Sequence, residues 1–171
     1  MEPIIRLETV SDRKAIHALV AAAFGQPDEA DLVERLRDAG ALSVSVVATV
    51  SDVVVAHACA SPMAACEDDG LAGVFALAPV SVLPDAQGQG LGTLVTQAVI
   101  DRMRARDAIC LTVLGDPAYY QRFGFEPASA HGLHADAGDF GDAFGVLALG
   151  ATGIPLGAYR WHAAFAPLLE G

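Results

Sequence analysis

The sequence predicts an α/β (α+β) protein, a three-layer sandwich around a mixed central sheet, formed by one domain over residues 1–171. Three apolar, strand-like runs follow one another between residues 44 and 83, and amphipathic helical patterns precede and follow them. Consecutive strands favour antiparallel pairing, whereas a doubly wound sheet alternates strands and helices. With 171 residues, 53% of them hydrophobic, the chain can bury one core and is too short to suggest two domains.

The individual elements follow from hydrophobic periodicity and from the turn residues between them. Apolar residues at helical spacing predict the helices, with Ser11 and Asp12 as candidate N-caps of the first and Gly40 as the stop of the second. Val-rich runs separated by Ser51-Asp52 predict a hairpin, and Pro84 closes the strand that follows it. Helices are predicted from the caps at 11–12 to residue 24, between the break at 25–27 and Gly40, at 91–107 and at 118–122. Strands are predicted at 4–7, 44–50, 53–60, 71–83, 109–114, 123–126, 146–149 and 158–162, and a loop at 132–141.

Charge and hydropathy exclude several classes of partner. A net charge of −11 with only 10 Lys and Arg residues argues against nucleic-acid binding, which requires clustered cations, and mildly favours a cationic acceptor such as an amine. Gly, Ser, Asp and His interrupt every apolar run, so we expect no membrane span. Residues 1–9 lack a basic region followed by an apolar one, so a cytoplasmic location is expected.

Neither a disulfide framework nor a metal site is expected. The cysteines are odd in number and show no CxxC spacing: Cys59, Cys66 and Cys110. His131, His134 and Asp136 resemble a metal-ligand cluster, but they fall in a predicted loop without a firm frame. The sequence therefore predicts no metal.

The segment most informative about chemistry runs from Val80 to Thr93, where a strand leads through a glycine-rich turn into the strongest predicted helix. Glycine allows positive φ and close approach to a ligand, and the free N–H groups at a helix start attract anions. The segment lacks the Gly-Lys-Ser/Thr ending of a nucleoside-triphosphate loop, and its G-x-G-x-G spacing differs from the dinucleotide pattern. It predicts a phosphate cradle for another ligand, with an ordinary flexible turn as the alternative.

Two motifs in this part of the chain resemble those of the GNAT acetyltransferase family. Gln87, Gly90 and Gly92 fit its acyl-CoA-binding pattern, Gln/Arg-x-x-Gly-x-Gly/Ala. The segment 115–125, Gly-Asp-Pro-Ala-Tyr-Tyr-Gln-Arg-Phe-Gly-Phe, resembles the family's Tyr-x-x-x-Gly-Phe ending, with Tyr120 as the tyrosine. The residues of this segment resemble those found in the YhbS-like group of predicted bacterial N-acetyltransferases.

The resemblance implies a mostly antiparallel, partly splayed sheet, with acyl-CoA between the strands that end at Val82 and Leu114. Transfer of an acetyl or other acyl group to a primary amine of a small molecule or protein, by direct attack on the thioester, is the implied activity. A silent acyl-CoA sensor, an oxygen acceptor and a carrier-protein donor are alternatives, and a homodimer is plausible. The implied acyl-CoA-binding residues are Val80, Ser81 and Val82 for pantetheine and the thioester, and Gln87, Gly88, Gln89, Gly90, Leu91, Gly92 and Thr93 for the pyrophosphate.

The resemblance also nominates catalytic residues. Tyr120 is the candidate general acid, because a phenol with a pKa near 10 is protonated at neutral pH and can donate to the leaving thiolate; Tyr119 is its rival. The general base is open between Glu29, His57 and Glu126, with an exposed carboxylate at a helix start as the alternative for Glu29 and a buried core histidine as the alternative for His57. Many GNAT enzymes have an asparagine where this chain has Gly-Asp-Pro at residues 115–117, so Asp116 either replaces it or caps the short helix.

Overall fold

A computed structural model describes residues 1–67 and 73–170. Five α-helices and nine strands are present in this part of the chain. The helices are α1 Arg13–Phe24, α2 Asp28–Asp38, α3 Leu91–Ala105, α4 Pro117–Tyr120 and α5 Ala166–Leu169; the strands are β1 Ile4–Leu7, β2 Val44–Val50, β3 Val53–Ala65, β4 Val74–Val82, β5 Cys110–Leu114, β6 Glu126–Pro127, β7 Leu133–Ala135, β8 Phe144–Ala148 and β9 Gly157–Trp161.

The main sheet has the strand order β1-β2-β3-β4-β5-β8-β6, and β4–β5 is its one parallel pair within the described residues. The far end of β3, Met63–Ala65, pairs with β9, which in turn pairs in parallel with β7. The predicted mixed and mostly antiparallel sheet is therefore confirmed.

Helices cover both faces of this sheet, as the three-layer prediction requires. Side chains alternate between the two faces of a strand. In β2, Val46 and Ala48 pack with α3 residues such as Val95, whereas Val47 packs with Ile16 of α1. Leu32 and Leu36 of α2 belong to a further cluster, in which they pack with aromatic residues near the C-terminus: Tyr159, Trp161 and Phe165.

The sheet opens between β4 and β5. Their pairing runs from Val74 opposite Cys110 to Leu77 opposite Val113 and stops there, although β4 continues to Val82. The register of β4 against β3 shifts by one residue beside Ala78–Pro79, and proline has no N–H to donate to a ladder. The last five residues of β4 therefore diverge from β5, which confirms the predicted splay.

Three predicted segments are wrong, two because β9 supplies a pairing partner and one because of a local turn. The loop predicted at 132–141 contains β7, which forms because β9 supplies a partner. Residues 121–123 are a 3-10 turn ended by Gly124 at φ +97°, so the predicted strand 123–126 shrinks to Glu126–Pro127. The predicted strand 53–60 continues to Ala65, because β9 pairs with its extension. Residues 71 and 72 of the predicted strand 71–83 lie outside the described residues.

Candidate active site

The glycine-rich turn ends at the N-terminus of α3, where backbone N–H groups are exposed. Gly90 is the N-cap at φ +81°, and Gly88 has φ +77°, a left-handed conformation that L side chains rarely adopt. A Cβ at either position would meet no atom within 4 Å, so the space beside the turn is open. The N–H groups of Leu91, Gly92 and Thr93 lack intrahelical acceptors and lie at the positive end of a 15-residue helix. Together these features suit an anionic group.

A cavity of about 330 Å³ lies beside this turn, and we call it the turn cavity. The Gln87 side chain ties the turn to the strand, because its Nε2 donates to the Val82 carbonyl at 3.3 Å. Ser81 is buried, and its hydroxyl has no hydrogen-bond partner among the described residues. The turn cavity is lined by Ala23, Phe24, Val80, Ser81, Val82, Gln87, Gly92, Tyr119 and Tyr120.

Five of the ten residues predicted to bind acyl-CoA thus meet at one cavity. Of the others, Gly88, Gln89 and Gly90 form the exposed turn above it, and the Leu91 side chain is buried in the core. The Thr93 hydroxyl lies 3.4 Å from that of Tyr119, at the rim of the turn cavity.

A second cavity, of about 480 Å³, opens where β4 and β5 diverge, and we call it the splay cavity. It shares Phe24, Val80 and Tyr120 with the turn cavity, so the two are neighbours across these side chains. Its lining is mostly apolar and comes from α1, α2, β4, β5 and the C-terminal segment. The residues are Phe24, Glu29, Leu32, Ala76, Leu77, Ala78, Pro79, Val80, Val113, Leu114, Gly115, Asp116, Tyr120, Trp161, Phe165, Leu168 and Leu169.

Tyr120 stands at the junction of the two cavities. It ends α4, which starts at Pro117 and is capped by Asp116, whose carboxylate accepts from the N–H of Ala118 at 2.9 Å. The Asp116 cap predicted from the sequence is therefore observed. The Tyr120 ring packs against Gly115, and burial, with a smaller contribution from Tyr119, raises the pKa of the phenol to about 12. Tyr120 is thus a neutral phenol at physiological pH.

Tyr119 occupies a different position. Its ring lies under the Arg122 guanidinium, 4.2 Å from the ring centroid, and its hydroxyl approaches Thr93 and Gly92. It lines the turn cavity, near the pyrophosphate end of the predicted site, while Tyr120 lines both cavities. The two tyrosines are therefore not interchangeable.

The three candidate bases lie in different places. Glu29 is half-buried in α2 and lines the splay cavity with Tyr120; both carboxylate oxygens accept from Gln26 Nε2 at 3.1 Å. His57 is fully buried, lies 2.8 Å from the Ser45 hydroxyl, and lines neither the turn nor the splay cavity. Burial, with a smaller contribution from the charge of Arg37, lowers the pKa of His57 to about 3.

Glu126, the third candidate, is exposed and lies 3.1 Å from the Nε2 of His131. Glu126 lines a separate cavity of about 420 Å³, and Tyr120 lines that cavity as well. Of the three, only Glu29 shares the splay cavity with Tyr120.

Sequence reasoning did not find the C-terminal wall of the splay cavity. Trp161, Phe165, Leu168 and Leu169 supply it, together with Phe24 and Leu32. The four C-terminal residues follow an i, i+4, i+7, i+8 spacing, but Trp161 ends β9 and only Leu168 and Leu169 lie in α5, so the spacing does not mark one helix.

The described part of the chain holds no group of three or more His, Cys, Asp or Glu residues arranged to bind a metal ion. Cys59 and Cys110 are buried free thiols, and Cys66 is partly exposed. Within residues 1–67 and 73–170, no helix has the length and hydrophobicity needed to span a bilayer.

Comparison with known proteins decides the family. Residues 4–128 match the family model of the acetyltransferase (GNAT) domain. The chain belongs to the GNAT acetyltransferase family. This GNAT chain is 36% identical to the uncharacterized N-acetyltransferase YhbS of Escherichia coli (strain K12). The matched region of 131 residues covers 76% of this chain and 77% of YhbS. YjhQ of the same strain is 31% identical over 121 residues, covering 70% and 67%.

Solved GNAT structures match nearly the whole chain. YhbS from Escherichia coli in complex with CoA superposes with a TM-score of 0.88 and 31% identity, over 97% of this chain and 93% of YhbS. A GNAT acetyltransferase from Brucella melitensis in complex with acetyl-CoA superposes with a TM-score of 0.82 and 32% identity, over 96% of this chain and 98% of the Brucella chain. The chain is thus a GNAT N-acetyltransferase, and the comparisons lend no support to a silent sensor.

Proposed function

We propose that this chain binds acetyl-CoA with its pyrophosphate at the start of α3, and transfers the acetyl group to a primary amine held in the splay cavity. The observation that carries the proposal is the position of Tyr120, which borders both the cavity beside the glycine-rich turn and the cavity between β4 and β5. The complexes of two relatives with CoA and acetyl-CoA support the choice of donor.

The proposed reaction is one direct transfer. The amine nitrogen attacks the thioester carbon, the oxyanion of the tetrahedral species is stabilised by N–H groups of the diverging end of β4, and the C–S bond then breaks. The nitrogen loses one proton, and the departing thiolate gains one. Tyr120 is the donor of the proton to sulfur, because its raised pKa means that it is protonated at neutral pH, and the tyrosinate then regains a proton from solvent.

We assign the amine's proton to Glu29 instead of His57 or Glu126. Glu29 is the candidate base in the splay cavity, where its carboxylate can hold an ammonium group and accept a proton from it, directly or through water. His57 is sealed in the core with a pKa near 3. Replacing Glu29 with Gln should lower kcat/KM for the amine about 100-fold or more and leave acetyl-CoA affinity unchanged.

The donor site is tested by Thr93→Glu with Thr93→Gln as its matched neutral control. Position 93 is the third residue of α3, where a carboxylate favours the helix by about 0.3–1 kcal/mol. A carboxylate about 4 Å from a phosphate charge costs about 1 kcal/mol in bulk water and more near a protein surface. Calorimetric titration with acetyl-CoA should show the Kd of Thr93→Glu raised about tenfold or more over that of Thr93→Gln, without a lower Tm. Equal Kd values for the two variants would refute the assigned pyrophosphate site.

The acid is tested by Tyr120→Phe with Tyr119→Phe as control. Removing the Tyr120 hydroxyl should lower kcat about 100-fold or more with little change in KM for acetyl-CoA. Tyr119→Phe should change KM for acetyl-CoA more than kcat, because its hydroxyl lies beside Thr93. A reversed pattern would transfer the acid role to Tyr119.

We further propose a cytoplasmic location and a homodimer, both of which rest on the sequence and the family resemblance. Light scattering of the purified protein measures the oligomeric state, and a mass of one chain would refute the dimer.

A further inference from the structure

The splay cavity carries an inference about the acceptor. Beyond the point where the thioester would lie, its wall is apolar and aromatic, formed by Phe24, Leu32, Trp161, Phe165, Leu168 and Leu169. Among the residues lining it, the carboxylates are those of Glu29 and Asp116, and Asp116 already accepts the helix-capping bond from Ala118. The Glu29 carboxylate is not used as a helix cap, and its oxygens accept from the neutral side-chain amide of Gln26 at 3.1 Å. The cavity thus offers one carboxylate, with lone pairs left for a further donor, beside a large apolar surface.

This wall is a packed part of the protein. Arg35 of α2 donates from Nε to the Ala164 carbonyl at 3.0 Å, and His162 Nδ1 accepts from the Ala164 N–H at 3.1 Å. The Trp161 ring meets Phe144 edge-on at 5.6 Å between centroids and lies 6.4 Å from Phe165. The wall is therefore held against α2 and β8 and has a defined shape.

We propose that the acceptor is a primary amine on an apolar alkyl or arylalkyl body, with its nitrogen at Glu29 and its body against the C-terminal wall. One carboxylate matches one ammonium group, whereas a polyamine would leave further charges facing hydrocarbon. A hydroxyl-rich acceptor would bury groups that find no partner on this wall. This inference rests on the proposed function, since it presumes acetyl-CoA as the donor in the turn cavity.

The competing occupant is a long acyl chain of the donor. Such a chain would fill the apolar part of the splay cavity but bring its methylene groups against the Glu29 carboxylate, which gains nothing from them. The amine makes use of both the carboxylate and the apolar wall, and the structure therefore favours it.

The test is a comparison of kcat/KM with acetyl-CoA for n-hexylamine, 2-phenylethylamine, ethylamine and spermidine. Each methylene buried on binding is worth roughly a factor of three to four, so hexylamine should exceed ethylamine on the order of 100-fold. Leu168→Gln should lower the ratio of kcat/KM for hexylamine to kcat/KM for ethylamine about tenfold. The matched control is Leu7→Gln, because Leu7 is an exposed leucine on the edge strand β1, and it should keep the wild-type preference.

Two results would overturn the inference and leave the donor site intact, as judged by calorimetric binding of acetyl-CoA. One is turnover of ethylamine or spermidine as efficient as that of hexylamine, or no turnover of the apolar amines at all. The other is a preference for hexanoyl-CoA over acetyl-CoA that Leu168→Gln abolishes, which would assign the wall to the acyl chain. Absence of acetyl-CoA binding by the wild-type protein would instead overturn the proposed function itself.

Discussion

Gly115 packs against the Tyr120 ring, and adding a single methyl group there should slow catalysis more than it weakens acetyl-CoA binding. A Cβ at residue 115 would lie 2.6 Å from Cε2 of Tyr120 and 3.3 Å from Cδ2. Carbon atoms in contact are about 3.5–4.0 Å apart, so the ring in Gly115→Ala must move by about 1 Å. The backbone cannot easily yield instead, because the Gly115 N–H donates to the Ala143 carbonyl at 2.9 Å.

The size of the effect follows from this displacement. A misplacement of about 1 Å at a reacting group costs on the order of 100-fold in rate, so kcat of Gly115→Ala should fall about 10- to 100-fold. Overpacking costs about 1–3 kcal/mol of stability, which for a chain of this size lowers Tm by about 2–12 °C. KM for acetyl-CoA should change less than kcat, since Gly115 itself does not line the turn cavity and Tyr120 is one of nine residues that do.

The assay is steady-state acetyl transfer at a temperature where every variant is folded. Gly150→Ala is the matched control, because a Cβ there meets no atom within 4 Å, and it should retain wild-type kcat. In the Tyr120→Phe background, Gly115→Ala should cost little further activity, because the hydroxyl it displaces is already gone. Wild-type kcat in Gly115→Ala, or the same fractional loss in both backgrounds, would refute the role assigned to this contact.

Three pH dependences follow from buried or paired groups. Burial raises the pKa of Tyr120 to about 12, above the value near 10 of an unfolded chain. We therefore expect no fall in kcat attributable to Tyr120 below about pH 11. The stability that Tyr120 contributes is constant below pH 10 and is lost as the pH rises above 10. Burial lowers the pKa of His57 to about 3, so below about pH 6.5 the unfolded chain binds a proton at this residue that the folded chain does not bind. The free energy of unfolding should therefore decline by roughly 1 kcal/mol per pH unit between pH 6 and 4. Urea titrations of His57→Gln should lack this dependence on pH. Arg6 donates to both oxygens of Asp12 and holds the pKa of that carboxyl well below its usual range. This ion pair therefore stabilises the folded protein above about pH 4, and the stabilisation is lost in acid. Asp12→Asn should lower Tm at pH 7 and should differ less from wild type as the pH falls towards 2.

The glycine-rich turn and the start of α3, which we propose as the donor site, were predictable because their determinants are local. Positive φ at Gly88 and Gly90 and the helical period of α3 are properties of a few consecutive residues. The antiparallel pairing of β2, β3 and β4 likewise followed from three apolar runs that are neighbours in sequence. Local chemistry therefore carried the fold class and the geometry of the glycine-rich turn.

The splay cavity, which we propose as the acceptor site, could not be predicted, because it is assembled from distant parts of the chain. Trp161 reaches the splay cavity since Met63, about a hundred residues earlier, lies opposite it in the β3–β9 pairing. The helix α5 has only four residues, too few for periodicity to establish it from sequence. A pattern of four apolar residues near the C-terminus gives no indication of which cavity it will line.

The role of His57 depended on the face of β3 to which it points. Ala56, Ala58 and Ala60 pack towards α3, which places His57 on the opposite face, where α1 closes over it. A shift of one residue in the pairing of β3 would reverse these faces, and a single sequence does not reveal that register. His57 was therefore a reasonable candidate base in sequence and is a core residue in the structure.

The position of Tyr120 also determines which substitution can be interpreted. Its ring separates the turn cavity from the splay cavity and borders the cavity that contains Glu126. Truncation to Ala would join these spaces, admit water to the thioester and alter the acceptor wall together with the acid. Tyr120→Phe removes the hydroxyl alone and keeps the partition. Loss of kcat in the Phe variant therefore measures proton donation, and any additional loss in the Ala variant measures what the ring does as a wall.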